Sequence, residues 1–263
     1  MSRSQIPTTG RGSAVIVAGL VVLLSAVGMT TAGYDSQAPV PAVPGSGGQV
    51  PAIRLDAVEG KLDQLGEWAR TRSAKHGIPA RALEAYGYAT VVMAKAQPNC
   101  HLGWTTLAGI AHVESNHARF GGATITTNGL VQPPIRGVAL NGTSGNATIL
   151  DPAATADAGH IVYARAMGPF QFIPDTWKRW GARASADYQT LAKVLEGAEP
   201  VATKELSGSP DNIDDAALAA GRYLCASGGD LSTPVGWRRA IFSYNHSAAY
   251  VSQVRAAALG YDS

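Results

Sequence analysis

Apolar positions recur at helical spacing along most of this chain. From Trp104 to His117 it reads Trp-Thr-Thr-Leu-Ala-Gly-Ile-Ala-His-Val-Glu-Ser-Asn-His, and Trp104, Leu107, Ala108 and Ala111 mark one helix face. Glu114 comes next in that series, near the end that opens toward Gly121-Gly122. A carboxylate is therefore predicted to ride an apolar stripe. Desolvation there raises its pKa, which suits a group that keeps a proton at neutral pH and donates it. The competing reading is a helix-end Glu turned to solvent or paired with Arg119, since ionic groups are rarely buried unpaired.

The same periodicity predicts further helices. Leu55, Val58, Leu62, Leu65, Trp68 and Ala69 line one face over 55–75, which Gly77-Ile78-Pro79 stops. Pro79 then opens a helix over 80–96 at its first position, with Leu83, Tyr86, Ala89 or Thr90, and Met93 on one side. Residues 120–165 lose the pattern and carry turn signals instead, from Gly121-Gly122 to Asp151-Pro152. So long a loop in a compact domain points to function, and short strands are expected at 124–127 or 138–140. Beyond it, Gly168-Pro169 predicts a turn, and Pro174-Asp175 begins a short helix that Gly181 ends. Helices are also expected over 188–195, over 213–225 behind an Asp211-Asn212 cap, and over 236–244 and 247–259 around Tyr244-Asn245-His246. Ser247 caps the last, with Tyr250, Val251 and Val254 facing inward. The fold class is mainly α, with a small β element in the long loop.

Composition adds compartment rather than chemistry. A hydrophobic fraction of 46% with 15% charged residues excludes general disorder, and a net charge of +2 without a basic aromatic-interleaved run gives no case for nucleic acid. Arg3 and Arg11 precede an apolar run over 14–29 and the small residues Thr30, Thr31, Ala32 and Gly33, the order of an export signal. Cleavage after Ala32 or retention as an anchor through residues 13–30 both fit. Residues 33–52 read as a Pro/Gly-rich spacer, leaving 53–263 as one domain. Export makes Cys100 and Cys225 candidate disulfide partners, with two buried thiols as the alternative.

Other chemistries weigh less. His112 and His117 flank Glu114, but zinc histidines on one helix need a spacing of four, and five turns them on the order of 140° apart. No metal or cofactor is expected. No Gly-x-Ser-x-Gly occurs, and neither cysteine has a catalytic setting. Gln171, set between Phe170 and Phe172, offers an amide donor and acceptor in an apolar wall, or a backbone bond within a turn.

Glu114-Ser115-Asn116-His117, then Gly-Pro-Phe-Gln-Phe-Ile-Pro-Asp-Thr-Trp, Asp-Ala-Ala with Tyr-Leu-Cys, and Tyr-Asn-His-Ser follow one another in order. Together they resemble the exported lytic murein transglycosylases of actinobacteria, of the membrane-bound lytic transglycosylase B type in the lysozyme-like superfamily. The resemblance covers residue 53 to the end. It implies a lysozyme-like helical domain with a saccharide groove, Glu114 as the single catalytic acid/base, and peptidoglycan glycan strands as the partner. It also implies that Ser115, Phe170, Gln171, Tyr244 and Asn245 contact the sugar, with Phe170 standing where the family usually has Met. A monomer is expected. The activity implied is cleavage of the MurNAc–GlcNAc bond with a 1,6-anhydro product; a hydrolytic muramidase and a weakly active or non-catalytic murein binder are the alternatives. Two stretches depart from the family: 157–165 lacks its Asp-rich character, and 183–210 replaces an Asp/Gly-rich loop.

Overall fold

The computed structural model describes residues 42–57, 60–197 and 203–262; the expected signal over 1–32, the spacer over 33–41 and Val58 lie outside them. The described chain is mainly helical, with α1 Gly66–His76, α2 Ala80–Ala96, α3 Trp104–Ser115, α4 Pro152–Ala158, α5 Pro174–Trp180, α6 Tyr188–Glu196, α7 Lys204–Ser207, α8 Ile213–Gly228, α9 Pro234–Tyr244 and α10 Ala248–Gly260. A single two-stranded sheet pairs β1, Thr124–Ile125, antiparallel with β2, Val131–Gln132. The β element falls at the first of the two expected places. None of the described helices is long and apolar enough to cross a membrane.

Three helix pairs build the core: α2 on α8, α3 on α10, and α8 on α9. Leu83, Tyr86, Ala89 and Met93 of α2 are all buried, so the inward position is Ala89; Thr90 instead bonds the carbonyl of Tyr86. Helices α3 and α10 approach closely because Gly109 has no side chain. A Cβ there would lie 2.8 Å from the carbonyl oxygen of Val254 and 3.1 Å from the Cβ of Ala258. This contact brings the start of α10 beside the end of α3. The disulfide Cys100–Cys225 ties the turn after α2 to α8, with Cα atoms 5.3 Å apart.

Several local expectations need correcting. The helix expected over 55–75 begins later: α1 starts at Gly66 behind a single 3-10 turn over Asp63–Leu65, Gly60 takes a left-handed φ of 66°, and the Gln64 side chain bonds the backbone of Arg54 in both directions. Leu55 and Leu65 are buried ahead of α1, and Trp68 and Ala69 are buried on α1 itself. Pro79 is the N-cap of α2 rather than its first residue. Asp151-Pro152 opens α4, with the Asp151 carboxylate accepting from Ala154 N at 3.0 Å, so this pair is a cap and first helical residue rather than a turn alone.

The end of the expected spacer is docked. Gly45 and Gly47 donate their N–H groups to the Asp262 carboxylate at 2.9 and 3.0 Å, and Trp104 Nε1 donates to Gly47 O at 3.1 Å. Thr105 Oγ1 donates to Gly45 O, and Arg255 Nε to Ala42 O at 2.9 Å. A domain begun at Ile53 leaves out this strap and uncovers the first turn of α3. At about 1 kcal/mol net per hydrogen bond, offset by the cost of ordering the strap, the 53–263 fragment is expected to lose about 1–3 kcal/mol relative to 42–263. Calorimetry of the two fragments checks this, with a melting temperature lower by several degrees for the shorter one.

Candidate active site

The site begins with an abrupt end to α3. After Ser115 three successive non-glycine residues, Asn116, His117 and Ala118, take left-handed φ angles of 51°, 57° and 64°. Such a run is costly for L-residues and persists only where the surroundings hold it. Here the hold is visible: Asn116 N and His117 N donate to His112 O and Ala111 O, and Ala118 N donates to Ser115 Oγ at 2.9 Å. Buried His117 is gripped by the Tyr86 and Tyr261 hydroxyls, at 3.2 and 3.0 Å, and burial drives its pKa down to about 3. The chain thus turns away sharply, and Glu114 is left facing a cavity at the helix end.

The lining of that cavity mixes apolar and polar side chains. The long loop supplies the apolar Val138, Leu140 and Ile149, cross-linked by Leu140 N to Ala164 O and Ile149 N to Leu140 O. The lining also carries Gln171, Tyr223, Ser243, Tyr244, Asn245 and His246. Glu114 is the only carboxylate among the described lining residues. The cavity, partly open to solvent, has a volume of about 230 Å³, larger than the 150 Å³ cavity that holds a benzene ring.

Glu114 does not pair with Arg119, whose guanidinium bonds Asn116 and Gly77 O. Its Oε1 accepts from the Tyr250 hydroxyl at 2.6 Å, whereas Oε2 is enclosed and has no partner. Burial pushes its pKa up to about 8, against the opposing effect of the Tyr250 hydrogen bond. With Oε1 occupied as an acceptor, the proton belongs on Oε2. An acid is thereby presented with its donating oxygen free. A second unpartnered buried atom, Asn245 Oδ1, belongs to the same lining. Two orphaned polar atoms in one cavity mark a place where a polar ligand completes the hydrogen bonding.

No family model matches this chain, and no curated protein or solved structure matches it either. The geometry alone therefore sorts the remaining residues. Gln171 lines the cavity, but its Nε2 donates to Gly168 O at 2.9 Å, which leaves Oε1 as the free end. Tyr244 also lines it, though its hydroxyl is committed to Phe170 O at 2.9 Å, so its ring is what the cavity receives. That ring stacks on Tyr250 at 6.5 Å with only 2° between the planes.

Ser115 and Phe170 are not on the cavity surface. Ser115 is 2% exposed and donates to Pro169 O at 2.7 Å, which pins the Gly-Pro-Phe-Gln turn to the end of α3. Phe170 is fully buried edge-on against Tyr86, and the apolar contribution to the wall comes from Phe172 instead. Both residues hold the cavity in shape from behind.

His112 and His117 are nearer than a continuous helix would allow, with ring centroids 5.5 Å apart, because α3 ends between them. No group of three or more metal-ligating side chains gathers among the described residues. The residue that sequence reasoning undervalued is Tyr250. Its inward spacing on α10 was legible; its hydroxyl on the carboxyl of Glu114 was not.

Proposed function

We propose that this protein is a peptidoglycan lytic transglycosylase with a lysozyme-like fold. The carrying observation is the enclosed, unpartnered Oε2 of Glu114, on a carboxyl raised to about 8, facing a ring-sized cavity with polar groups in its lining. Peptidoglycan glycan strands are the proposed partner, met in the cell envelope after export.

One carboxylate suffices if the substrate supplies the nucleophile. Protonated Glu114 donates from Oε2 to the oxygen joining N-acetylmuramic acid to N-acetylglucosamine, and the bond from muramyl C1 to that oxygen breaks. The acetamido oxygen of the same sugar stabilises the cationic centre at C1. Glu114, now ionised and still held by Tyr250, accepts the proton of the C6 hydroxyl as O6 bonds to C1. The 1,6-anhydro ring closes, Glu114 regains its proton, and no water is consumed. Gln171 Oε1, Asn245 and the Tyr244 ring are the groups placed to align the sugar, and alignment contributes much of the rate. A two-carboxylate hydrolase is less well supported, because the lining offers no second acid for a nucleophile or base.

Digestion of murein sacculi followed by mass spectrometry tests the reading. Products lighter by one water than hydrolysis products are expected; water-added products point to a muramidase, and bound but intact sacculi to a binder. The same assay carries a pH prediction. The first step needs protonated Glu114, so the rate falls about tenfold per pH unit above its pKa near 8. The hydrogen bond from Tyr250 favours the ionised form, so Tyr250→Phe is expected to move this limb upward by about one pH unit or less. A limb that stays in place would deny Tyr250 its role on the acid.

A further inference from the structure

Two Asn-Gly pairs stand in this chain, Asn128-Gly129 and Asn141-Gly142, both in the long segment between α3 and α5. An asparagine before glycine is open to attack on its side-chain amide by the glycine's backbone nitrogen, because no Cβ hinders the approach. The fold treats the two pairs differently. Gly129 is buried, its N–H donates to Thr126 O at 3.0 Å, and its carbonyl accepts from Ile213 N at 2.8 Å. Asn128 is tied as well: its Oδ1 accepts from Thr126 Oγ1, and its backbone carbonyl from Asn212 Nδ2 at 2.9 Å. Attack there has to break the Gly129 hydrogen bond first.

Asn141 and Gly142 are both exposed, and among the described residues the Gly142 N–H has no acceptor. Asn141 Oδ1 accepts from Thr143 N at 3.1 Å and from Thr143 Oγ1 at 2.6 Å. The first of these bonds closes a small ring that contains both Asn141 Cγ and Gly142 N. Both bonds end on the oxygen where negative charge collects when that nitrogen attacks, so both strengthen as the reaction proceeds. We infer that Asn141 is a self-modification site, which deamidates through a cyclic imide formed with Gly142. Hydroxide takes the proton from Gly142 N, and that nitrogen bonds to Asn141 Cγ. The Cγ–Nδ2 bond breaks, and ammonia leaves with a proton from water. Water then opens the imide at either carbonyl, giving an aspartyl or an isoaspartyl residue; the second routes the backbone through the former side chain. Leu140 and Ile149 line the cavity, and Asn141 pairs with Thr148 in the bridge beside them. Either product therefore sets a new carboxylate one residue from that lining.

Incubating the full chain at pH 8, folded or in denaturant, and mapping its tryptic peptides by mass spectrometry tests this. The two sites fall on separate peptides, 120–136 and 137–165. In denaturant both are expected to react at similar rates. In the folded protein Asn128 is expected to slow at least about tenfold, whereas Asn141 keeps its rate to within about threefold and yields isoaspartate as well as aspartate. Thr143→Val removes the hydroxyl donor at an exposed position, and is expected to slow Asn141 severalfold in the folded protein but not in denaturant. A folded Asn141 as slow as Asn128 overturns the proposal, and so does an aspartyl product without isoaspartate, which is the result of direct hydrolysis. A rate unmoved by Thr143→Val overturns the part assigned to the Thr143 hydroxyl.

Discussion

On the proposed function, replacing Glu114 by Gln is expected to lower murein turnover by at least about a thousandfold and to leave sacculus binding in place. General acid–base catalysis by one positioned group is commonly worth 10²–10⁴-fold, and in the proposed mechanism one carboxyl serves both proton transfers, so both steps would fail together. Gln keeps the size of Glu, and its amide oxygen still accepts from Tyr250, so the cavity keeps its shape. Stability moves the other way. The folded carboxyl has a pKa of about 8, against an ordinary value of 4.5. Between those values the folded protein holds a proton that the unfolded chain releases, so this group's contribution to stability is full below about pH 4.5 and declines until pH passes 8. The Gln variant never ionises. It is expected to be more stable than the parent at pH 9, on the order of 2–4 kcal/mol, and equal to it at pH 4. Turnover assays and denaturant titrations at the two pH values read both effects. Retained turnover, or no gain in stability at high pH, would remove Glu114 from the centre of the site.

Loss of the disulfide is the second large effect. Cys100 and Cys225 are 125 residues apart in sequence, and their bond joins the turn after α2 to α8, the pair at the middle of the core. Closing so long a loop in the unfolded chain predicts close to 5 kcal/mol in the chain-entropy model, and measured losses on removing native disulfides are about 2–5 kcal/mol. The double variant Cys100→Ala, Cys225→Ala is expected to melt about ten degrees lower. Reductant should reproduce the loss in the parent and have no effect on the variant. Leu231 N still bonds Cys100 O through the backbone, and α2 still packs on α8, so the variant folds at room temperature. A melt unchanged by reductant in the parent would show that the bond contributes little.

Helix positions were legible wherever the information is local. Apolar spacing and caps predicted α2 over its full length, the start of α5 and the Asn212 and Ser247 caps, because these depend on residues within about a turn of each other. The same locality explains the misses. Leu55 and Leu65 are buried as the periodicity expects, but α1 begins only at Gly66, with a left-handed Gly60 and the Gln64 side chain's bonds to Arg54 ahead of it. The zinc geometry assumed a helix that runs on past Ser115, and three left-handed residues end it. Ser115 and Phe170 fell in a functional-looking motif and proved to be internal braces, since a motif does not say which side of the wall a residue faces.

Glu114 was identifiable from the chain alone: its place on an apolar stripe follows from spacing, and spacing decides which face of a helix a residue takes. What that face meets is a different matter. The partner of Oε1 comes from 136 residues away, the strap over the start of α3 from 57 residues before it, and the free Oε2 and Asn245 Oδ1 are defined by what the packing leaves unfilled. Desolvation and hydrogen-bond satisfaction are properties of the surrounding volume, which the tertiary structure creates. The place of the Glu114 carboxyl on its helix was therefore written in the sequence, and its pKa, its held oxygen and its open one were decided by the fold.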